Sequence, residues 1–179
     1  MKSSLVIGLG RFGTYMAKKF SELGNHVLVL DTDEEKINEI LPYVTSAQIG
    51  DATKPAVLDA IGIDNFDVCA VCMGENFQSS LETTSLLKEA GAKYVLSRAS
   101  TEIQAKFLQR NGADEVIFPE KQTAERLAVR YSADNIFDYI QLTPEYAIYE
   151  IPTPPSWEGK TIRDKNVRAK YNLNILGVK

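Results

Sequence analysis

Short apolar runs alternate along this chain with longer stretches of helical period. The runs Leu5–Gly8, His26–Asp31, Ala47–Gly50, Val68–Met73, Tyr94–Arg98 and Glu115–Phe118 are rich in Val, Ile and Leu. Near-continuous apolar character marks strands covered on both faces. The stretches between them carry helix punctuation. Arg11–Leu23 stops at Gly24, and Thr32 with Glu35 has the spacing of a capping box for a helix to about Leu41. Pro55 opens Ala56–Ile61, which Gly62 ends; Asn76–Ala90 stops at Gly91 and Glu102–Gln109 near Gly112. This alternation predicts an α/β fold, a Rossmann-like doubly wound parallel sheet in the order 3-2-1-4-5-6.

After the sixth strand, Gln122–Leu142 has an apolar stripe of Leu127, Ala128, Tyr131, Phe137 and Ile140, irregular near Ser132–Asn135. It is expected as a helix packed on its own sheet or on a second copy of the chain. Residues 1–142 then form one nucleotide-binding domain that includes this helix. Residues 143–179 read as the start of a second domain, left incomplete. There Tyr146–Ile151 alternates as a strand, and Pro152-Thr153-Pro154-Pro155 excludes helix and central strand. Trp157–Lys160 is expected as a turn, Ile162–Val167 as a short helix and Asn174–Val178 as a strand.

Candidate chemistry gathers at the strand ends. Gly8-Leu9-Gly10-Arg11-Phe12-Gly13 is a G-x-G-x-x-G between a strand and a helix, the context in which it binds a pyrophosphate. Its first glycine permits the turn, the second lets backbone approach phosphate, and the third lets helix and strand pack closely. Free N–H groups and the helix dipole then face the anion. Asp31, eighteen residues after Gly13, suits ribose hydroxyls and repels a 2′-phosphate, which favours ATP, ADP or NAD(H) over NADP. Thr32 follows it, with Asp31 alternatively part of the next helix's cap. Arg11 opposes the helix dipole unless it meets phosphate. Asp51, beside Ala52, could reach adenine or ribose, or cap the following helix. Gly74, Glu75 and Asn76 end the fourth strand on the same edge of the sheet. Arg98 could meet phosphate or an acid of a neighbouring subunit. Glu120 could ligate a divalent cation such as Mg or Ca, or cap the long helix.

The net charge of -4 argues against a nucleic-acid partner. No apolar run approaches the ~18 residues that span a bilayer, and no signal peptide precedes Leu5. A cytoplasmic chain is expected, with any membrane part supplied by a partner. Cys69 and Cys72 have C-x-x-C spacing, but they fall inside a buried strand, where positions three apart face opposite ways. The lone histidine, His26, stands at the far edge of the sheet from the glycine turn, and no P-loop motif is present. These residues supply a nucleotide cradle without catalytic apparatus. An NAD-linked oxidoreductase fragment or redox sensor is the alternative.

Five motifs together carry a family resemblance: Val6-Ile7-Gly8-Leu9-Gly10-Arg11-Phe12-Gly13, Val29-Leu30-Asp31, Gly50-Asp51-Ala52-Thr53, Ser97-Arg98-Ala99 and Ile117-Phe118-Pro119-Glu120. The chain resembles the RCK (regulator of potassium conductance, KTN) family, in its KtrA-like and TrkA-like branch of cytosolic potassium-uptake gating subunits. The resemblance implies homodimers joined by an exchanged helix and assembled into octameric rings beneath a membrane-embedded potassium transporter. It implies that ATP and ADP compete for the cradle and set the ring's shape. Arg11 would then contact the terminal phosphates, Asp31 the ribose, and Glu120 a divalent cation near the dimer interface. Cyclic di-AMP binding is implied only for a complete C-terminal domain.

Overall fold

The computed structural model describes residues 1–74, 76–132, 135–143 and 145–178. It divides into two compact units, Met1–Lys121 and Gln122–Lys179.

The first unit is built on six parallel strands in the order β3-β2-β1-β4-β5-β6. These are β1 (Ser3–Ile7), β2 (His26–Asp31), β3 (Ser46–Ile49), β4 (Val68–Val71), β5 (Val95–Arg98) and β6 (Glu115–Ile117). The helices between them are α1 (Arg11–Glu22), α2 (Glu34–Ile40), α3 (Pro55–Ile61), α4 (Phe77–Glu89) and α5 (Glu102–Arg110). The expected strand order and fold class are both found. In register, Leu5 of β1 lies between Leu28 of β2 and Cys69 of β4.

The two-residue period of the strands divides the core. Leu5, Ile7, Leu30, Cys69 and Val71 join Leu58 and Leu87 of α3 and α4 in one buried cluster. Val6, Val27, Val29, Ala70 and Cys72 join Ala17, Ile37 and Ile40 of α1 and α2 in another. Burying a Leu or Ile side chain contributes about 1.5–3 kcal/mol, so this two-faced core fixes the central strands and hence where their ends point. Cys69 and Cys72 fall in different clusters, as strand geometry requires. Burial pushes both thiols up to about 12, so both are unreactive.

Two sequence expectations are corrected in this unit. The cap of α2 is Asp33, not Thr32: the helix starts at Glu34, so Glu35 is its second residue and cannot close the box with Thr32. The Asp33 carboxylate instead accepts from the Glu35 and Lys36 amides at 3.0 and 3.4 Å. Asp51 does not cap α3. It accepts from the Thr53 amide and hydroxyl at 2.9 and 2.7 Å, one turn before the helix begins.

Helix α6 (Pro119–Tyr131) follows β6. The stripe expected to continue as helix to Leu142 changes period, because Phe137 onward is extended. In the second unit, β7 (Asp138–Gln141) pairs antiparallel with β8 (Ala147–Glu150), Tyr139 facing Tyr149. Of the irregular stretch between α6 and β7, Ala133 and Asp134 lie outside the described residues. Ile162–Val167 is two short helices, α7 (Ile162–Lys165) and α8 (Val167–Tyr171), broken where Asn166 takes a left-handed φ of 46°. The expected strand Asn174–Val178 has no regular structure and no pairing partner among the described residues. No helix among the described residues is long and apolar enough to cross a membrane.

Candidate functional site: a cleft at the strand ends

The glycine turn is shaped by contacts that only glycine permits. Gly8 adopts a φ of 91° and donates its N–H to the Leu30 carbonyl at 2.9 Å, tying the end of β1 to β2. A Cβ on Gly13 would stand 1.9 Å from the Gly8 carbonyl oxygen, so the first turn of α1 rests on the turn itself. A Cβ on Gly10, by contrast, would meet nothing within 4 Å. Gly8 and Gly13 are packing positions, and Gly10 faces open space.

No side chain caps α1 at Gly10, and its first turn contains no acid. The first-turn amides thus lack the usual acceptor, and the positive end of the helix dipole lacks an anion. Arg11 stands in that turn, exposed, with no hydrogen bond or ion pair among the described residues.

Asp31, at the end of β2, braces this turn. Its Oδ2 accepts from the Leu9 amide at 2.5 Å and its Oδ1 from the Asp33 amide at 2.9 Å. One carboxylate therefore fixes both the glycine turn and the start of α2. Each oxygen keeps a second lone pair for a further donor.

A cleft of about 1090 Å³ runs along the C-terminal ends of the strands. From β1 and α1 it is lined by Gly8, Gly10, Arg11 and Phe12, and from β2 by Asp31 and Thr32. Asp51 and Ala52 after β3, Gly74 and Asn76 after β4, Arg98 of β5 and Glu120 of α6 complete it. The topology accounts for the gathering, since parallel strands present all their C-terminal ends on one edge, beside the reversal of strand order between β1 and β4. Gly13 is buried beneath the cleft, and Glu75 lies outside the described residues.

Several of these side chains already hold protein groups. Asn76 caps α4, accepting from the Ser79 amide at 3.1 Å. The Thr53 hydroxyl and amide, with Lys54 nearby, hold the Asp51 carboxyl below the usual aspartate range. Arg98 Nη2 donates to Glu120 Oε1 in an ion pair within the same chain. The sequence alternatives for Arg98 and Glu120 did not include this pairing. Glu120's own amide at the start of α6, and then Arg98, hold its carboxyl below the ordinary value. Among the described residues no group of three His, Cys, Asp or Glu side chains is placed to hold a metal ion.

The cleft also includes residues that the motifs did not single out. Tyr15 lines it one helical turn after Arg11, and Lys36 lines it from the first turn of α2. Ser100 lines it too and donates its hydroxyl to the Gly74 carbonyl at 3.1 Å. The i+4 spacing from Arg11 was a usable signal for Tyr15; nothing local marked Lys36 or Ser100.

The protein-family model for the TrkA-N domain matches residues 4–119. Two Bacillus subtilis proteins, Ktr system potassium uptake proteins C and A, are each 40% identical over 99% of this chain and 80% of their own length. The Ktr system potassium uptake protein A of Vibrio alginolyticus is 30% identical over 99% of this chain and 81% of its own. Among solved structures, the GsuK RCK domain matches with a TM-score of 0.67 at 14% identity, covering 98% of this chain and 39% of that one. The GsuK channel bound to NAD matches at 0.69 and 14%, over 98% and 32%. At such identities the solved structures establish the fold alone, and the family rests on the sequence relatives and the TrkA-N match. The chain belongs to the TrkA-N family.

Proposed function

We propose that this chain is a nucleotide-sensing regulatory subunit of a membrane potassium uptake system. It binds ATP or ADP in the cleft, with NAD(H) as the competing ligand class, and performs no chemistry on it. Its relatives named as Ktr potassium uptake proteins support the system, and GsuK, solved once with NAD and once with ADP, supports the ligand class.

One observation carries the reading: an uncapped helix start over open space at Gly10, beside an unpaired Arg11 and a carboxylate already locked in place. A bound nucleotide supplies the missing phosphate charge and ribose hydroxyls. The first-turn amides and Arg11 would take the phosphates, and the remaining lone pairs of Asp31 the ribose. Glu120 would add a carboxylate to a divalent cation completed by phosphate oxygens and water. A γ-phosphate changes what Arg11 can bind, so the ligand shifts the protein by its differential affinity for two states. Exposed Tyr131 of α6 and Phe137 and Ile140 around β7 support self-association into a dimer and a ring beneath the transporter.

Calorimetric titration of the purified chain with ATP, ADP and NADH tests this. Binding of both adenylates is expected, with Arg11→Ala losing most of the difference between them. Binding of NADH alone would move the reading to a redox sensor, and no binding of any of the three would end it.

A further inference from the structure

Arg98 is held in an unusual way. Its side chain is only 19% exposed, while that of its partner Glu120 is 60% exposed. The Glu120 contact engages Nη2, and the buried Nε has no hydrogen-bond acceptor among the described residues. A guanidinium presents its donors as a fork that suits two oxygens of one anion. Contact through Nη2 alone leaves Nε, beside it on the same edge of the fork, without an acceptor among the described residues.

The position of the guanidinium follows from Gly74. A Cβ there would stand 1.9 Å from Arg98 Nη1, so Arg98 crosses the end of β4 through space that a side chain would fill. β4 lies between β5 and β1. Arg98 is thereby carried one strand across the cleft toward the glycine turn, strands being ~4.8 Å apart. On the other side, Met73 packs against Gly8 of that turn. The two ends of the pair also differ in freedom: Arg98 is confined by β5 and Gly74, whereas Glu120 is a solvated side chain at the start of α6.

We propose that Arg98 is a second phosphate-binding residue of the cleft, with Glu120 as an internal anion that holds it until a nucleotide phosphate takes its place. The proposal rests on the nucleotide reading and adds to it a competition inside the protein. A phosphate offers more negative charge than a carboxylate, and Glu120 is solvated, so phosphate displaces it. Glu120 then leaves Arg98, and the first turn of α6 loses one of its ties to the cleft. The Lys121–Glu102 ion pair at 2.8 Å remains as the neighbouring tie.

The test is a double-mutant cycle on ADP affinity, measured by calorimetry on the full chain with EDTA present so that no divalent cation recruits Glu120. Arg98→Gln is expected to weaken ADP about 10-fold, the loss of one charge-assisted contact. Glu120→Gln is expected to tighten it roughly 3- to 10-fold, because the internal competitor is gone. In the Arg98→Gln background the Glu120→Gln substitution should have no effect. In parallel, ADP should speed hydrogen exchange at the second-turn amides of α6, which are hydrogen-bonded back into the first turn, in the unsubstituted chain and leave it unchanged in Glu120→Gln. A Glu120→Gln protein that binds ADP no more tightly overturns the competition. So does tightening that persists without Arg98, since that is through-space repulsion of phosphate. If the unsubstituted chain binds no adenylate, the nucleotide reading itself fails and this proposal with it.

Discussion

Replacing Asp31 by asparagine tests both the brace and the proposed ribose contact. The carboxylate accepts the Leu9 amide at 2.5 Å and the Asp33 amide at 2.9 Å, one on each oxygen. Asparagine has one acceptor oxygen, so one of these amides must face an NH2 group, and the surviving bond loses its charge. A hydrogen bond to a charged group contributes about 1.5–3 kcal/mol, and Asp31 is half-buried, so a loss of roughly 2 kcal/mol is expected. Urea unfolding followed by far-ultraviolet circular dichroism should show the midpoint falling by roughly 1 M, at a slope near 2 kcal/mol/M. Amide exchange should quicken at Leu9 or Asp33, according to which bond the amide group abandons. Adenylate affinity should fall as well, through a disordered turn and a weaker ribose contact. An unchanged midpoint with unchanged exchange at both amides would refute the brace, and an unchanged affinity would refute the ribose role.

Gly13→Ala places its methyl carbon against the Gly8 carbonyl, a backbone atom that cannot yield, so a loss of about 2–5 kcal/mol is expected by urea unfolding. Arg11→Ala should leave that midpoint unchanged, since Arg11 has no partner among the described residues, while weakening ATP about 10-fold more than ADP in calorimetry. Iodoacetamide at pH 8 should label neither cysteine in the folded chain and both in urea, because burial pushes both thiols up to about 12; rapid labelling of the folded chain, read by mass spectrometry, would revive a redox role. Burial opposes ionisation of Asp114, but the Val95 amide and Lys88 outweigh it and hold its carboxyl below the ordinary aspartate value of 3.8. Its contribution to stability is therefore full above that value and lost as pH falls through the lower folded value, so Asp114→Asn should flatten the decline of the urea midpoint in acid.

The sheet was legible because burial on both faces leaves a plain mark: Leu5, Val6 and Ile7 are apolar in succession, and each packs in the core. The strand order followed from strand–helix alternation, which allows few topologies. The cleft was legible for a related reason, since every strand end had to fall on one edge. Less legible were choices settled by a single residue of register. Thr32 and Asp33 are both good caps, and only the starting point of α2 decides between them. Leu127 and Tyr131 keep helical spacing, but Ile140 falls about 140° off that face of a helix and belongs to β7, which pairs with β8. The Arg98–Glu120 pair joins residues on different elements, 22 positions apart, and no local pattern connects them.

The amides of Gly10, Arg11 and Phe12 offer the most direct test of the central claim that the start of α1 is an anion site. In a 1H–15N spectrum of the labelled chain titrated with ADP, these resonances should move first and furthest, together with the Leu9 amide that Asp31 holds. Shifts confined to the second unit, or a spectrum that ADP leaves unaltered, would contradict it.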